Sequence, residues 1–193
     1  MNLKESRTFS NLVNSFAGEC MARTRYEFIE YGARMDGQKA LASIIDGIVY
    51  NEFNHARLLY SYIQGADKNT LININVNSGY PFKEKWNLLD NLKFASEDEE
   101  NEGERIYPAF AKIATDEGFD DIATLYRNLA EVEKTHSALL LDLYKQSKDK
   151  SCYKKTAVVT WKCPDCGFQF NAKEAFDECP LCHAKKESLL IKV

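Results

Sequence analysis

Two short motifs in this chain combine a carboxylate with an imidazole at a spacing that suits metal binding. They are Glu52–His55 and Glu133–His136, each with the pattern Glu-x-x-His, in a chain that has only three histidines. On a helix, positions i and i+3 share a face, so each pair can bind the same metal ion. Glu19 lies 33 residues before Glu52, and Glu99 lies 34 residues before Glu133. This repetition predicts a dinuclear metal site built from two similar halves.

The candidate ligands lie on the apolar side of four segments with helical periodicity. These segments are residues 5–35, residues 38–64, the stretch between Pro81 and Gly118, and residues 120–147. Their apolar residues recur at steps of four and three, the spacing of a buried helix face. A glutamate on such a face is costly unless it is paired or bound to a metal. One Glu from each of two helices and Glu-x-x-His from each of two others is the ligand set of ferritin-like dinuclear carboxylate bundles.

Turn residues divide these segments as a four-helix bundle requires. Met35–Gly37 predicts a tight turn, and Gly118–Asp120 supplies a C-terminal glycine followed by an N-cap residue. The polar stretch 65–80 is long enough to cross along the bundle between two helical hairpins. Pro108 lies inside the third helix and predicts a bend, because it frees the carbonyl of Glu104.

Oxygen-rich ligation with a minority of imidazole favours iron or manganese at the bundle site. We expect Glu52 and Glu133 to bridge two ions, because each shares a helix with a histidine and both occupy the same position on their apolar faces. Glu102 also lies on an apolar face and exceeds the six residues that such a site needs. The seven candidate ligands are Glu19, Glu52, His55, Glu99, Glu102, Glu133 and His136.

A second metal site is predicted by four cysteines near the end of the chain. Cys163-x-x-Cys166 and Cys179-x-x-Cys182 form two knuckles separated by 12 residues. Four thiolates imply tetrahedral coordination of either zinc or a single iron. On these residues alone, a zinc ribbon that only folds the tail is the better interpretation.

The change in sequence character near residue 150 predicts two domains. Helical periodicity ends there, a basic patch follows, and short β-type runs such as residues 157–161 begin. We therefore expect a mainly α protein, with a four-helix bundle over residues 1–150 and a small β-type metal domain over residues 151–193.

Composition excludes several classes of partner. The net charge of −4 disfavours nucleic acid and anionic membranes. An N-terminal targeting segment and a run of about 18 apolar residues are both missing, which predicts a soluble cytoplasmic protein. Cys20 and Cys152 are expected to be free thiols, which a reducing compartment tolerates.

Taken together, these residues resemble the rubrerythrin family over essentially the whole chain. The bundle motifs that carry the resemblance are Phe16–Glu19, Arg23–Tyr26, Glu52–His55, Glu99–Glu102, Ile106–Pro108 and Glu133–His136. The paired Cys-x-x-Cys knuckles match the rubredoxin-like tail of that family.

The resemblance implies a ferritin-like bundle with a di-iron centre and a rubredoxin-like tail with one further iron. It implies reduction of hydrogen peroxide to water, with electrons from a donor such as a rubredoxin or its reductase. It also implies a homodimer in which the tail of one subunit serves the bundle of the other. Tyr26 and Tyr107 map onto tyrosines beside the di-iron site. One iron is expected to exchange His55 for Glu102 on oxidation.

Two other functions share part of this pattern. A ferritin-type protein that oxidises or stores iron would use the same bundle ligands, but it needs no electron-carrying tail. A non-catalytic module could hold a structural metal in the bundle and a zinc ribbon that contacts a partner. An oxidised site of one iron and four thiolates is coloured, whereas its zinc counterpart is not.

Overall fold

The computed structural model describes residues 2–66, 76, 87–188 and 190–191 of the 193-residue chain. Five α-helices form the N-terminal part after a short 3-10 turn at Leu3–Glu5. They are α1 (Arg7–Met35), α2 (Lys39–Ala66), α3 (Leu88–Asn101), α4 (Tyr107–Asp116) and α5 (Asp120–Lys148). Helix α1 packs against α2, and both α3 and α4 pack against α5. The predicted four-helix bundle is confirmed, with α3 and α4 together forming its third helix.

Glycines with positive φ end the first helix of each hairpin. Gly37 has φ 77° in the turn between α1 and α2, and Gly118 has φ 83° between α4 and α5. Both turns are three residues long, and each allows a reversal that a residue with a Cβ resists. The N-cap of α5 is Phe119 rather than the predicted Asp120, which is its first helical residue. The predicted crossover at 65–80 lies almost entirely outside the described residues.

The third helix is interrupted by a π turn rather than by a simple bend. Residues Glu102–Ile106 are π-helical, and the amide of Tyr107 donates to the carbonyl of Glu102 five residues back. Pro108 lies in the first turn of the helix that follows, where its missing amide hydrogen is tolerated. A π turn inserts one residue into a helix. Seventeen residues therefore separate Glu99 from Asp116, whereas sixteen separate Glu19 from Met35.

Two apolar clusters fill the bundle, one on each side of the candidate ligands along every long helix. One cluster includes Ile29, Ile45 and Leu140. The other includes Leu12, Leu59 and Leu129. The acidic and histidine side chains thus occupy a polar layer between two hydrophobic cores, where water has little access.

The tail is a three-stranded antiparallel sheet in the order β2-β1-β3. Its strands are β1 (Lys154–Lys162), β2 (Gln169–Glu174) and β3 (Leu190–Ile191). Trp161 is buried against Cys163, Ala175 and Cys179, and its indole donates to the carbonyl of Ala172 over 3.1 Å. This core is small for a sheet of its size, which is typical of domains that a metal stabilises.

Helix α5 ends at Lys148 and β1 begins at Lys154, so the change from helix to sheet falls in the short connection between them. The division of the chain into two domains stays a prediction. Within the described part of the chain, no helix has the length and apolar character needed to cross a membrane.

Gly103 allows the π turn to lie close to α5. A Cβ at this position would approach the carbonyl oxygen of Ala130 and Cγ of Lys134 to 2.9 Å each. We predict that Gly103→Ala displaces the π turn and destabilises the protein by roughly 1–3 kcal/mol, the usual cost of overpacking. Chemical denaturation of the metal-loaded protein measures this change.

Gly47→Ala is the matched control, because a Cβ there meets nothing within 4 Å. Alanine in an exposed helix position is favoured over glycine by about 1 kcal/mol, so this variant should be at least as stable as the unmodified protein. Equal stabilities for the two variants would contradict a tight contact at Gly103.

Candidate metal centre

The four long helical segments bring six predicted ligands into one buried layer. Their side chains come from α1, α2, α3 and α5, and none of the six residues is more than 7% exposed. They are Glu19, Glu52, His55, Glu99, Glu133 and His136. Burial of four carboxylates in a bundle core is rare unless charges are paired or metal-bound.

These residues form two quartets that share two carboxylates. One quartet contains Glu19 and His55, the other contains Glu99 and His136, and both contain Glu52 and Glu133. Within each quartet the ligand atoms lie within 4.8 Å of one another. The arrangement provides two adjacent metal positions, each with one terminal carboxylate and one imidazole.

The shared carboxylates divide their oxygens between the two positions. Oε2 of Glu52 lies 3.3 Å from Nδ1 of His55, whereas Oε1 lies 3.0 Å from Nδ1 of His136. Glu133 behaves in the same way, with Oε1 3.3 Å from His55 and Oε2 3.0 Å from His136. This geometry supports the sequence-based assignment of Glu52 and Glu133 as bridging ligands.

Unpaired polar atoms in this layer fit a pair of bound cations. Within the described residues, six buried ligand atoms have no hydrogen-bond partner, and they belong to four glutamates and one histidine. These atoms are Oε2 of Glu19, Oε1 of Glu52, Oε2 of Glu99, both carboxylate oxygens of Glu133, and Nδ1 of His136. Unsatisfied buried acceptors carry a desolvation penalty, which coordination to a cation removes.

Electrostatics in the cation-free layer lead to the same conclusion. Burial raises the pKa of Glu99 to about 8, and the charges of Glu52 and Glu133 add to the shift, while His136 opposes it. The pKa of Glu19 is also well above its usual value, first because of burial and then because of the same two carboxylates. Burial alone would lower the pKa of His136, but hydrogen bonds to Glu133, Glu52 and Glu99 raise it to about 12. Without cations, this layer therefore retains protons.

Both predicted tyrosines contact the terminal carboxylates, each from the opposite hairpin. The hydroxyl of Tyr26 on α1 donates to Glu99 on α3, and the hydroxyl of Tyr107 on α4 donates to Glu19 on α1. Tyr26 follows Glu19 by seven residues, whereas Tyr107 follows Glu99 by eight. The extra residue of the π turn accounts for this difference and lets Tyr107 occupy a position equivalent to that of Tyr26.

Glu102 lies outside both quartets, although sequence analysis named it as a seventh ligand. It is half-buried at the start of the π turn. Burial, followed by the charges of Glu99 and Glu133, raises its pKa well above the usual value. Its carboxyl is therefore close enough to sense the site. Its role as a ligand remains a proposal.

Two polar contacts near the site were missed by sequence analysis. Arg25 forms a largely buried ion pair with Asp98 over 3.2 Å, and these residues directly precede Tyr26 and Glu99. Asn51 directly precedes Glu52, and its Oδ1 lies 3.3 Å from Nε2 of His136. Neither contact follows from helical periodicity, because Asn51 is on the exposed side of α2 and Asp98 lies within an acidic run.

The four predicted cysteine ligands also come together. Their sulfur atoms lie within 4.8 Å of one another, with 3.6 Å between Cys163 and Cys182 and 3.7 Å between Cys166 and Cys179. All six cysteines of the chain are free thiols. Four convergent sulfurs without a disulfide fit a tetrahedral metal ion.

The two cysteine knuckles have the same backbone geometry. Gly167 and His183 follow the second cysteine of each knuckle, with φ 78° and φ 63°, and each donates its amide to the carbonyl of the first cysteine. Amides of Phe168 and Ala184 bond to the sulfurs of Cys166 and Cys182. Such N–H groups stabilise thiolates and thereby favour metal binding. The side chain of His183 points away to Glu178 at 2.6 Å, as expected for a residue that is not a ligand.

The fold and its two clusters define a dinuclear carboxylate protein of the ferritin-like type with an attached four-thiolate domain. The sequence model of the family described as Rubrerythrin matches residues 10–144, with a second, overlapping match over residues 90–161. The model described as Rubrerythrin, rubredoxin-like domain matches residues 161–189.

Individual relatives agree with these matches. Rubrerythrin of Clostridium perfringens is 38% identical over 94% of this chain and 92% of its own. Rubrerythrin of Nitratidesulfovibrio vulgaris is 29% identical over 100% of this chain and 98% of its own. A mixed-valence structure of nigerythrin has the same fold, with a TM-score of 0.64 at 22% identity over 100% of this chain and 94% of its own. The chain belongs to the rubrerythrin family, whose members bind a di-iron centre and a rubredoxin-like iron site.

Shared and terminal ligands should differ in how many ions their loss removes. Iron-loaded protein should carry about three irons per subunit, two in the bundle and one in the tail. We predict that Glu133→Ala removes both bundle irons, because both quartets contain Glu133, whereas Glu19→Ala removes about one. Metal analysis after gel filtration measures the stoichiometry.

Glu100→Ala is the matched control for these variants, because Glu100 is exposed on α3 next to Glu99. It should retain the full iron content. Loss of only one iron from Glu133→Ala would contradict a bridging role for Glu133.

Proposed function

We propose that this protein reduces hydrogen peroxide to water at the bundle site, with electrons relayed by the four-cysteine site. The observation that carries the proposal is the pair of ligand quartets sharing Glu52 and Glu133, in the same chain as four convergent thiolates. The reaction combines peroxide with two electrons and two protons to form two water molecules. When bound, two ferrous ions supply both electrons and act as Lewis acids on the peroxide oxygens.

Ligand charge makes the reduced site close to neutral. Four ionised carboxylates in the two quartets balance the charge of two divalent cations. A neutral sum lowers the cost of placing these charges between two apolar cores. Glu102 provides a further carboxylate beside the site, and it can offset the extra positive charge that accompanies oxidation.

Tyr26 and Tyr107 provide hydroxyl protons at the terminal carboxylates. Burial, followed by the charges of Glu19 and Glu102, raises the pKa of Tyr107 well above its usual value. The phenol therefore stays protonated and can donate a hydrogen bond to Glu19 or to a bound peroxide oxygen. Tyr26 is placed to do the same at Glu99. Both residues thus position protons where O–O cleavage places negative charge.

The four-cysteine site accepts and passes one electron at a time. Cys182 is exposed and Cys163 is buried, so the cluster reaches from the surface to the core of the tail. We propose that a rubredoxin or its reductase supplies electrons at the exposed side. We further propose that the protein is a homodimer in which each tail serves the bundle of the partner subunit, as its family membership supports. Six free thiols fit a reducing compartment such as the cytoplasm.

A ferritin-type iron-oxidising function shares the bundle ligands. The four-thiolate cluster favours peroxide reduction, because iron storage requires no relay of electrons. The decisive assay follows anaerobic peroxide consumption by iron-loaded protein with an external reductant and a catalytic amount of rubredoxin. Sustained consumption supports the proposal, whereas accumulation of ferric iron without peroxide turnover would support the alternative.

Loss of one thiolate should separate the two sites in function. We predict that Cys163→Ser folds and is oxidised once by peroxide, because the bundle ligands are untouched. Its steady-state turnover should be lost, since the oxidised bundle has no route for re-reduction. Stopped-flow absorbance measures the single oxidation, and a coupled peroxide assay measures turnover. Unimpaired turnover would contradict the relay.

A mixture of two inactive variants tests the route between subunits. Cys163→Ser retains its bundle ligands, and Glu133→Ala retains its tail. After the two variants are unfolded and refolded together, mixed dimers should recover part of the activity if each tail serves the partner's bundle. Recovery should be absent if each tail serves its own bundle.

Glu102 and His55 should exchange with the redox state. We predict that the reduced protein has His55 bound and Glu102 free, because a ferrous ion accepts a neutral imidazole, and that the oxidised protein has the reverse, because a ferric ion prefers a hard anionic oxygen. The present structure places His55, not Glu102, with the bridging carboxylates. Crystal structures of both states measure the exchange. Binding of both residues to one iron in both states would contradict it.

A further inference from the structure

The two site histidines differ in what holds the outer edge of the imidazole ring. Nδ1 of His136 faces the bridging carboxylates at 3.0 Å, while its Nε2 lies 3.3 Å from Oδ1 of Asn51. Nδ1 of His55 faces the same carboxylates at 3.3 Å. Among the described residues, Nε2 of His55 has no hydrogen-bond partner. The rings are otherwise alike, with centroids 5.8 Å apart and planes 27° apart.

Contact with Asn51 determines which nitrogen of His136 carries the proton. An amide oxygen only accepts hydrogen bonds, so Nε2 must donate and Nδ1 must keep its lone pair. That lone pair points at the bridging carboxylates, where a metal ion would lie. Partners of this kind orient metal-binding imidazoles and increase their basicity.

Internal repetition explains why His55 lacks an equivalent partner. Asn51 directly precedes Glu52, and the residue that directly precedes Glu133 is Val132. Because the quartets relate Glu52 to Glu133 and His55 to His136, Val132 is the counterpart of Asn51. A valine side chain offers no acceptor, so the ring of His55 is held only through Nδ1.

We propose that Asn51 is a positioning residue that keeps His136 bound in both redox states, and that valine at position 132 leaves His55 as the histidine that can yield to Glu102. The inference rests on the ligand exchange of the proposed function for its second half. Its first half, the fixed orientation of His136, concerns the metal-bound protein at rest and does not depend on turnover.

Ring-nitrogen NMR tests the first half directly. Zinc is diamagnetic, so zinc-loaded, ¹⁵N-labelled protein reports the tautomer of each of the three histidines. His136 should show a protonated Nε2 whose hydrogen exchanges slowly with water, and His55 should show fast exchange. In Asn51→Val, the exchange of the His136 proton should become as fast as that of His55. Removal of such a partner should also weaken metal binding by about 10- to 100-fold, measured by chelator competition.

Asn54→Val is the matched control, because Asn54 lies on the same helix and bonds the backbone of Tyr50 instead of a ligand. It should leave both the exchange rates and the metal affinity unchanged. Unchanged exchange of the His136 proton in Asn51→Val would overturn the positioning role, whatever the activity of the protein.

The reverse substitution tests the second half. Val132→Asn should supply an acceptor to His55, slow the exchange of its Nε2 hydrogen, and keep His55 bound in crystals of the oxidised iron protein. If that hydrogen is protected but His55 still leaves, the claim about Val132 is wrong. If the unmodified protein shows no ligand exchange at all, the proposed exchange fails, and the tautomer result for His136 stands independently.

Discussion

Burial of four carboxylates between two apolar cores is the constraint on which the rest of this structure depends. Each of them would be strongly disfavoured in isolation, and together they also repel one another. The bundle compensates with two imidazoles, two tyrosine hydroxyls and space for cations whose charge matches that of the carboxylates. Every long helix must therefore place its ligand at the same level. The short turns at Gly37 and Gly118 maintain that alignment within each hairpin.

A nearly symmetric frame carries a site whose proposed chemistry is not symmetric. Both halves supply a terminal glutamate, a bridging glutamate, a histidine and a tyrosine that contacts the opposite half. The differences are few and local. A π turn adds one residue and brings Glu102 beside the site, where Ala22 is the corresponding residue in the first half. Asn51 supports one histidine, whereas Val132 replaces it on the other side. Small departures from the repeat thus give the two metal positions different properties.

Sequence patterns predicted the ligands well because each of those residues breaks an apolar stripe, and a buried glutamate is conspicuous against such a background. Pro108 indicated an irregularity, but a proline does not distinguish a bend from a π turn. Spacings of 33 and 34 residues between paired glutamates did contain that signal, because one inserted residue must be accommodated somewhere. Asn51 was not predictable, since it lies on the exposed side of its helix and its partner is 85 residues away. Contacts of this kind depend on how two helices are placed, which periodicity within one helix does not specify.

The separation of the apolar residues into two clusters links the integrity of the bundle to the supply of metal. Each cluster can pack by itself, but the layer between them contains repelling charges when cations are lacking. Cations bind the folded form at this layer and have no comparable site in the unfolded chain, so they shift the folding equilibrium by mass action. Iron is thus a structural component as well as a reactant. A cell that runs short of iron will hold less of this protein in folded form, because the unfilled middle of the bundle opens more readily to proteases.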